Sequence, residues 1–177
     1  MKLHSLLSCS LTLAGMASSV QLTFYGYPDN APPGAGTAYN CGGRNFVAGG
    51  SGTHDDPLTI ATAPGELNQC EVIYVPYLKK YGRVEDSCAQ CTDDWKSGKQ
   101  HIDIWTGSNT VDGGQQQFNC EDALTPNAQQ TIIRNPDFNL EVDNAALYDP
   151  NTGTCGTSHT YGVRQFSHHF RVLEFDL

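Results

Sequence analysis

Positive charge is scarce in this chain: ten Lys and Arg stand against 19 Asp and Glu in 177 residues, a formal net charge of −9. Most of such a surface repels a phosphate backbone, which argues against nucleic acid as a partner. Long apolar runs are also missing after the first twenty residues, so no later segment is suited to spanning a bilayer. Internal repeats, low-complexity tracts, Asn-x-Ser/Thr triplets and long amphipathic helical patterns are likewise absent. What remains is 38% hydrophobic and 16% charged, with 18 Gly and 9 Pro. That composition is too apolar and too weakly charged for a disordered chain, and the length fits one domain.

The opening residues set an expected compartment. Met1-Lys2 supplies positive charge, Leu6 to Ala14 a short apolar stretch, and Ala17-Ser18-Ser19 small residues of the kind a signal peptidase accepts. Residues 1–19 therefore read as a secretory signal peptide and 20–177 as a single mature domain, with an extracellular location. Processing there would remove Cys9 and leave Cys41, Cys70, Cys88, Cys91, Cys120 and Cys155. An even number of cysteines in an oxidising compartment favours three disulfides, although six cysteines allow 15 pairings. Cys88-Ala-Gln-Cys91 has the form of half a zinc site, but no second Cys or His pair stands at matching spacing.

Residues 20–56 are rich in Gly, Pro, Asn and Asp and read as irregular loop around one strand. That strand, Leu22 to Tyr25, alternates apolar and polar positions, with Tyr25 and Tyr27 on the face opposite Leu22 and Phe24. Further short strands are expected at Leu58 to Ala61, Glu71 to Val75, His101 to Trp105, Thr131 to Ile133 and Phe170 to Phe175. Helical turns are expected only near Tyr77 to Lys80 and Cys120 to Leu124. Short strands with few helices predict a small barrel or sandwich.

The most informative segment runs from Glu85 to Trp105. In a strand over 101–105, Ile102 and Ile104 face the core while His101, Asp103 and Trp105 share the other face. A carboxyl group beside an indole and near other acids is pushed towards its protonated form, the property a glycosidase proton donor needs. The plainer reading is a solvated or structurally hydrogen-bonded Asp. Asp93-Asp94-Trp95 reads as a loop, either mobile over a cleft or merely solvated. Asp55-Asp56-Pro57 reads as a turn with His54 at the surface, and the adjacent His168-His169 point to opposite sides of a strand, which disfavours a shared metal ion.

Thr23-Phe24-Tyr25-Gly26, Ile73-Tyr74-Val75-Pro76, Tyr81-Gly82-Arg83-Val84-Glu85-Asp86 and Gly98-Lys99-Gln100-His101-Ile102-Asp103 occur in an order that resembles double-psi β-barrel proteins. The pattern is similar to the three-aspartate domain of lytic transglycosylases and to fungal β-barrel muramidases, and more distantly to expansins and family-45 endoglucanases. It covers roughly residues 21–125; residues 126–167 have no counterpart. The resemblance implies a mainly β, six-stranded double-psi barrel with disulfide-stapled loops. It also implies that Asp103 is the general acid and Asp86 the assisting carboxylate, with Asp29 as an alternative base in an endoglucanase-like arrangement. Tyr25, Tyr27, His101 and Trp105 would bind substrate.

The expectation is thus a secreted, monomeric glycosidase acting on bacterial peptidoglycan, without metal or cofactor. A non-catalytic expansin-like wall-binding protein and a β-glucan endoglucanase stand as alternatives.

Overall fold

The computed structural model describes residues 16–162. Eight strands form: β1 (Met16–Tyr25), β2 (Leu58–Thr62), β3 (Val72–Val75), β4 (Lys80–Ser87), β5 (His101–Trp105), β6 (Gln130–Arg134), β7 (Tyr148–Asp149) and β8 (Thr154–Cys155). Two helices, α1 (Ala89–Lys96) and α2 (Gly114–Leu124), complete the described regular structure with one 3-10 turn at Thr157–His159. Strands β1 to β6 close a barrel in the order β1-β5-β2-β4-β3-β6, while β7 and β8 form a separate two-stranded sheet. The fold is therefore the expected mainly β architecture built on a closed six-stranded barrel.

Two parallel pairs, β1 with β5 and β2 with β4, set the barrel's mixed character; its other pairs are antiparallel. Alternation along the strands fills the interior. Val20, Leu22 and Phe24 of β1, Ile60 of β2, Ile73 and Val75 of β3, Val84 of β4, Ile102 and Ile104 of β5 and Ile132 of β6 belong to one buried cluster. Each fully buried aliphatic side chain contributes about 1.5–3 kcal/mol relative to exposure. Gly82 is needed inside this wall, since a Cβ there would lie 2.5 Å from Ile60 Cγ1.

Three disulfides join Cys41 to Cys70, Cys88 to Cys91 and Cys120 to Cys155. The first ties the Gly-rich loop to the turn before β3, and the third ties α2 to β8. The Cys88-Ala-Gln-Cys91 segment is a disulfide across the start of α1, so neither sulfur stands as a free zinc ligand.

Several elements differ from expectation. Strand β1 starts at Met16, and Met16, Ala17, Ser18 and Ser19 pair with Arg134, Ile133, Ile132 and Thr131 of β6. Processing after Ser19 would leave only the Val20–Gln130 partner. Strand β4 was hidden by its polar residues, and α1 occupies the segment read as a loop at Asp93-Asp94-Trp95. Helix α2 begins six residues earlier than expected, whereas Tyr77 to Lys79 form a turn leading into β4. The expected strand at Phe170 to Phe175 and the His168-His169 pair lie outside the described residues. No described helix is long and apolar enough to cross a membrane.

Candidate active-site cleft

Parallel pairing of β1 with β5 places Gln21 beside His101, Thr23 beside Asp103 and Tyr25 beside Trp105. Because β2 runs along the other edge of β5, Ala61 lies opposite Asp103, and β4 brings Asp86 next to Ala61. The small Ala61 side chain leaves room between the two carboxylates. Above them opens a cleft of about 750 Å³, lined by Tyr25, Asp29, Ala61, Asp86, Cys88 and Asp103 together with the 30–38 loop and the first turn of α1. Its lining residues include three carboxylates and no Lys, Arg or His.

The three acids are held differently. Asp86, 6% exposed, accepts hydrogen bonds from the Ala38 and Ser87 backbone N–H groups, both at 2.9 Å, and from the Tyr25 hydroxyl at 3.1 Å. Burial nonetheless raises its pKa. Asp103 has one side-chain donor, the Thr23 hydroxyl at 2.8 Å. Burial outweighs that bond, the negative charges of Asp29 and Asp86 add to it, and the Asp103 carboxyl is pushed up to about 7. Asp29 lies exposed at the mouth and accepts from the Gly26 N–H at 2.7 Å.

His101 does not line the cleft. It is 1% exposed and lies two residues before Asp103 on β5, with Nδ1 2.7 Å from Asp94 Oδ2 and Nε2 2.9 Å from Thr23 Oγ1. Burial lowers its pKa against the pull of Asp94. A neutral imidazole with its proton on Nδ1 donates to Asp94 and accepts at Nε2 from Thr23. The Thr23 oxygen is then free to accept from a protonated Asp103, whereas an ionised Asp103 competes with Nε2 for the single hydroxyl hydrogen. Thr23 therefore links the protonation state of Asp103 to the imidazole, a role the sequence alone did not reveal.

Trp105 also sits differently from the expected sugar platform. It is 1% exposed and packs edge-on against Tyr25, with ring centroids 5.3 Å apart. Its neighbours in this second cluster are Tyr25, Ala48 and Ala61, with Tyr27 and Cys88 partly buried against it. Burial of both residues follows from the loop 26–48 folding over this face of β1 and β5. The indole thus supports Tyr25, whose hydroxyl reaches Asp86, and does not line this cleft.

A further carboxyl group was not foreseen. Glu121 on α2 is 4% exposed and accepts from Thr106 Oγ1 at 2.9 Å and from Gln117 Nε2 at 3.1 Å. Burial, then the charge of Asp29, pushes its carboxyl up to about 8, so it stays protonated at neutral pH. Gly26 permits this approach: a Cβ there would lie 1.7 Å from Gln117 Nε2 and 2.9 Å from Glu121 Oε1. The only sequence signal was the spacing of Gln117, Cys120, Glu121 and Leu124 on one helical face.

The fold and cleft define a small disulfide-bonded β-barrel whose open face gathers carboxyl groups held by neutral donors. The chain belongs to the DDB_G0273701 N-terminal domain family, which matches residues 17–156. It is 41% identical over 136 residues to an uncharacterized protein of Dictyostelium discoideum, DDB_G0273701/DDB_G0273221. The aligned part covers 76% of this chain and 58% of that relative's length. No solved structure matches the chain.

Proposed function

We propose that this protein is a secreted glycan-cleaving enzyme of the muramidase type, with Asp103 as general acid and Asp86 as the assisting carboxylate. The observation that carries the reading is the contrast between two acids facing one cleft. Asp103 has a single neutral side-chain donor and a pKa near 7, whereas Asp86 has three neutral donors. A protonated Asp103 can give its proton to a leaving glycosidic oxygen. Asp86, whose donors favour the ionised form, stabilises positive charge at the anomeric carbon or activates water. Asp29 at the mouth is the alternative base. Tyr25 orients Asp86, and Thr23 with His101 orients Asp103.

Bacterial peptidoglycan is the first substrate to test, on the likeness of the ordered motifs to wall-lytic barrels. One observation favours a second substrate class: a cleft lined by three carboxylates and no cation suits a neutral β-glucan better than an anionic wall polymer. Purified protein and Asp103→Asn are incubated at acidic pH with peptidoglycan and, separately, with insoluble β-glucans, and soluble products are read by mass spectrometry. Reducing N-acetylmuramic ends from the wild type alone support a muramidase, and 1,6-anhydro ends a lytic transglycosylase. Oligosaccharides from β-glucan alone move the assignment to an endoglucanase. Absence of products from every glycan, with retention of the protein on one of them, replaces catalysis by an expansin-like binding role.

A further inference from the structure

The cleft wall carries one covalently reactive group besides its acids. Cys88, partly exposed, caps the N-terminus of α1 and lines the cleft, and its disulfide partner Cys91 is fully buried one turn further on. The Cys91 backbone N–H points at Cys88 Sγ, 3.0 Å away. Helix α1 is also held without the disulfide: Cys88 O accepts from Thr92 N and Oγ1 at 3.0 and 2.8 Å, and Asp94 bonds to His101.

The three bridges differ sharply in what they contribute to folding. Cys41–Cys70 and Cys120–Cys155 close sequence separations of 29 and 35, whereas Cys88–Cys91 closes only 3. Chain-entropy stabilisation rises with loop length, so the short bridge restrains the unfolded chain least. Its reduced form gains stabilisation of its own, because a Cys88 thiolate would sit at a helix N-terminus and accept the Cys91 N–H. Asp86, two residues back, opposes that thiolate in part. Cys41, Cys70 and Cys155 are partly exposed too, so it is the short loop and the favoured thiolate that give Cys88–Cys91 the features of an exchangeable disulfide and not of a staple.

We propose that Cys88–Cys91 is a thiol–disulfide exchange site that reacts with low-molecular-weight thiols of the glutathione class entering the cleft. The incoming thiolate attacks Cys88 Sγ; the bond to Cys91 breaks, and its electron pair leaves on Cys91 Sγ, which takes up a proton. A mixed disulfide between Cys88 and the small thiol results. A second small thiolate attacks the small-thiol sulfur of that adduct and releases Cys88 as a thiolate. The net change oxidises two small thiols to their disulfide and reduces the protein bridge to two cysteines. The step is independent of glycan cleavage.

The test exposes the native full chain to graded reduced glutathione, traps free thiols by alkylation and maps them by mass spectrometry. Cys88 and Cys91 are expected to become alkylated at glutathione concentrations at least tenfold below those that open Cys41–Cys70 or Cys120–Cys155, with the near-ultraviolet circular dichroism retained. In a second arm, Cys91→Ser is incubated with oxidised glutathione and is expected to carry one glutathione on Cys88. Loss of all three bridges together, or opening of either long-loop bridge first, overturns the proposal in the wild-type protein alone. So does a Cys88 that stays unmodified in native Cys91→Ser but reacts when that variant is unfolded in urea.

Discussion

Glu85 and Asp86 are neighbours on β4 at the register shift opposite Ile60 and Ala61, yet their carboxyl groups meet different partners and live under opposite electrostatics. Glu85, 3% exposed, accepts from Arg44 Nη2 at 2.5 Å, Arg83 Nε at 2.8 Å and Thr59 Oγ1 at 2.7 Å. Arg44 extends the cluster to Asp56 at 2.8 Å, which anchors the 51–57 turn. Asp86 has no cation, only two backbone N–H groups and a tyrosine hydroxyl. At Glu85 a buried carboxylate is neutralised by guanidinium groups and fastens loops to the barrel. In the cleft beside it, carboxyl groups are crowded without counter-ions, so their protons are held more tightly. The molecule thus separates acids that secure the fold from acids able to exchange a proton.

The largest test of that division is Asp103→Asn. Loss of the proposed general acid should lower turnover by about 10²–10⁴-fold. Stability at pH 8 should be equal to or greater than wild type, because an uncompensated acid has been removed from the cleft. Lower stability with unchanged turnover would place Asp103 among the structural acids. Glu85→Ala should do the reverse, costing on the order of 3–5 kcal/mol in denaturant unfolding by leaving Arg44 and Arg83 without their buried partner. A loss within about 0.5 kcal/mol would show that the clamp is dispensable.

Gly26→Ala probes the link between the two acids outside the barrel wall, Glu121 and Asp29. Its Cβ would displace Gln117 and Glu121, with an expected cost of about 1–3 kcal/mol. It should also hydrate Glu121 and lower its pKa, which carboxyl carbon chemical shifts would report. A smaller effect per unit is expected from pH itself. Folded Asp103 and Glu121 bind their protons more tightly than the unfolded chain does, with pKa values of about 7 and 8 against 3.8 and 4.5. The folded state therefore holds more protons between these limits, and stability should fall as pH rises from about 4 through 8. The slope is at most about 1.4 kcal/mol per pH unit for each group. Asp103→Asn should flatten the part between pH 4 and 7; a slope unchanged by that substitution would remove Asp103 as its source.

The legible part of the site was the part written in strand periodicity. Alternation in His101 to Trp105 put Asp103 on a face opposite Ile102 and Ile104, and both isoleucines are fully buried in the core. What alternation could not tell was which outward face remains outside: the 26–48 loop packs over Trp105, which does not line the cleft, while Tyr25 keeps a place in the cleft wall. Strand β4 was obscured because Arg83, Glu85 and Asp86 look like solvent residues, and Glu85 is compatible with burial only through Arg83 two residues back and the long-range partners Arg44 and Thr59. Helix α1 was obscured because eight mostly polar residues carry little periodic signal; its start is set by Cys88 as cap and by a disulfide. Glu121 was missed for a related reason, since a lone acid on a polar helix discloses nothing of the glycine 95 residues earlier that lets it approach.

The Thr23–Asp103 contact bridges a sequence separation of 80. Loop closure of that length contributes no reward until the partner strand arrives, so such pairings form late in folding. A growing chain carries Thr23 through some eighty residues of synthesis before Asp103 exists to meet it. The geometry of this cleft is accordingly timed by topology: the Asp103 carboxyl has its Thr23 partner only once β5 has been made and laid beside β1.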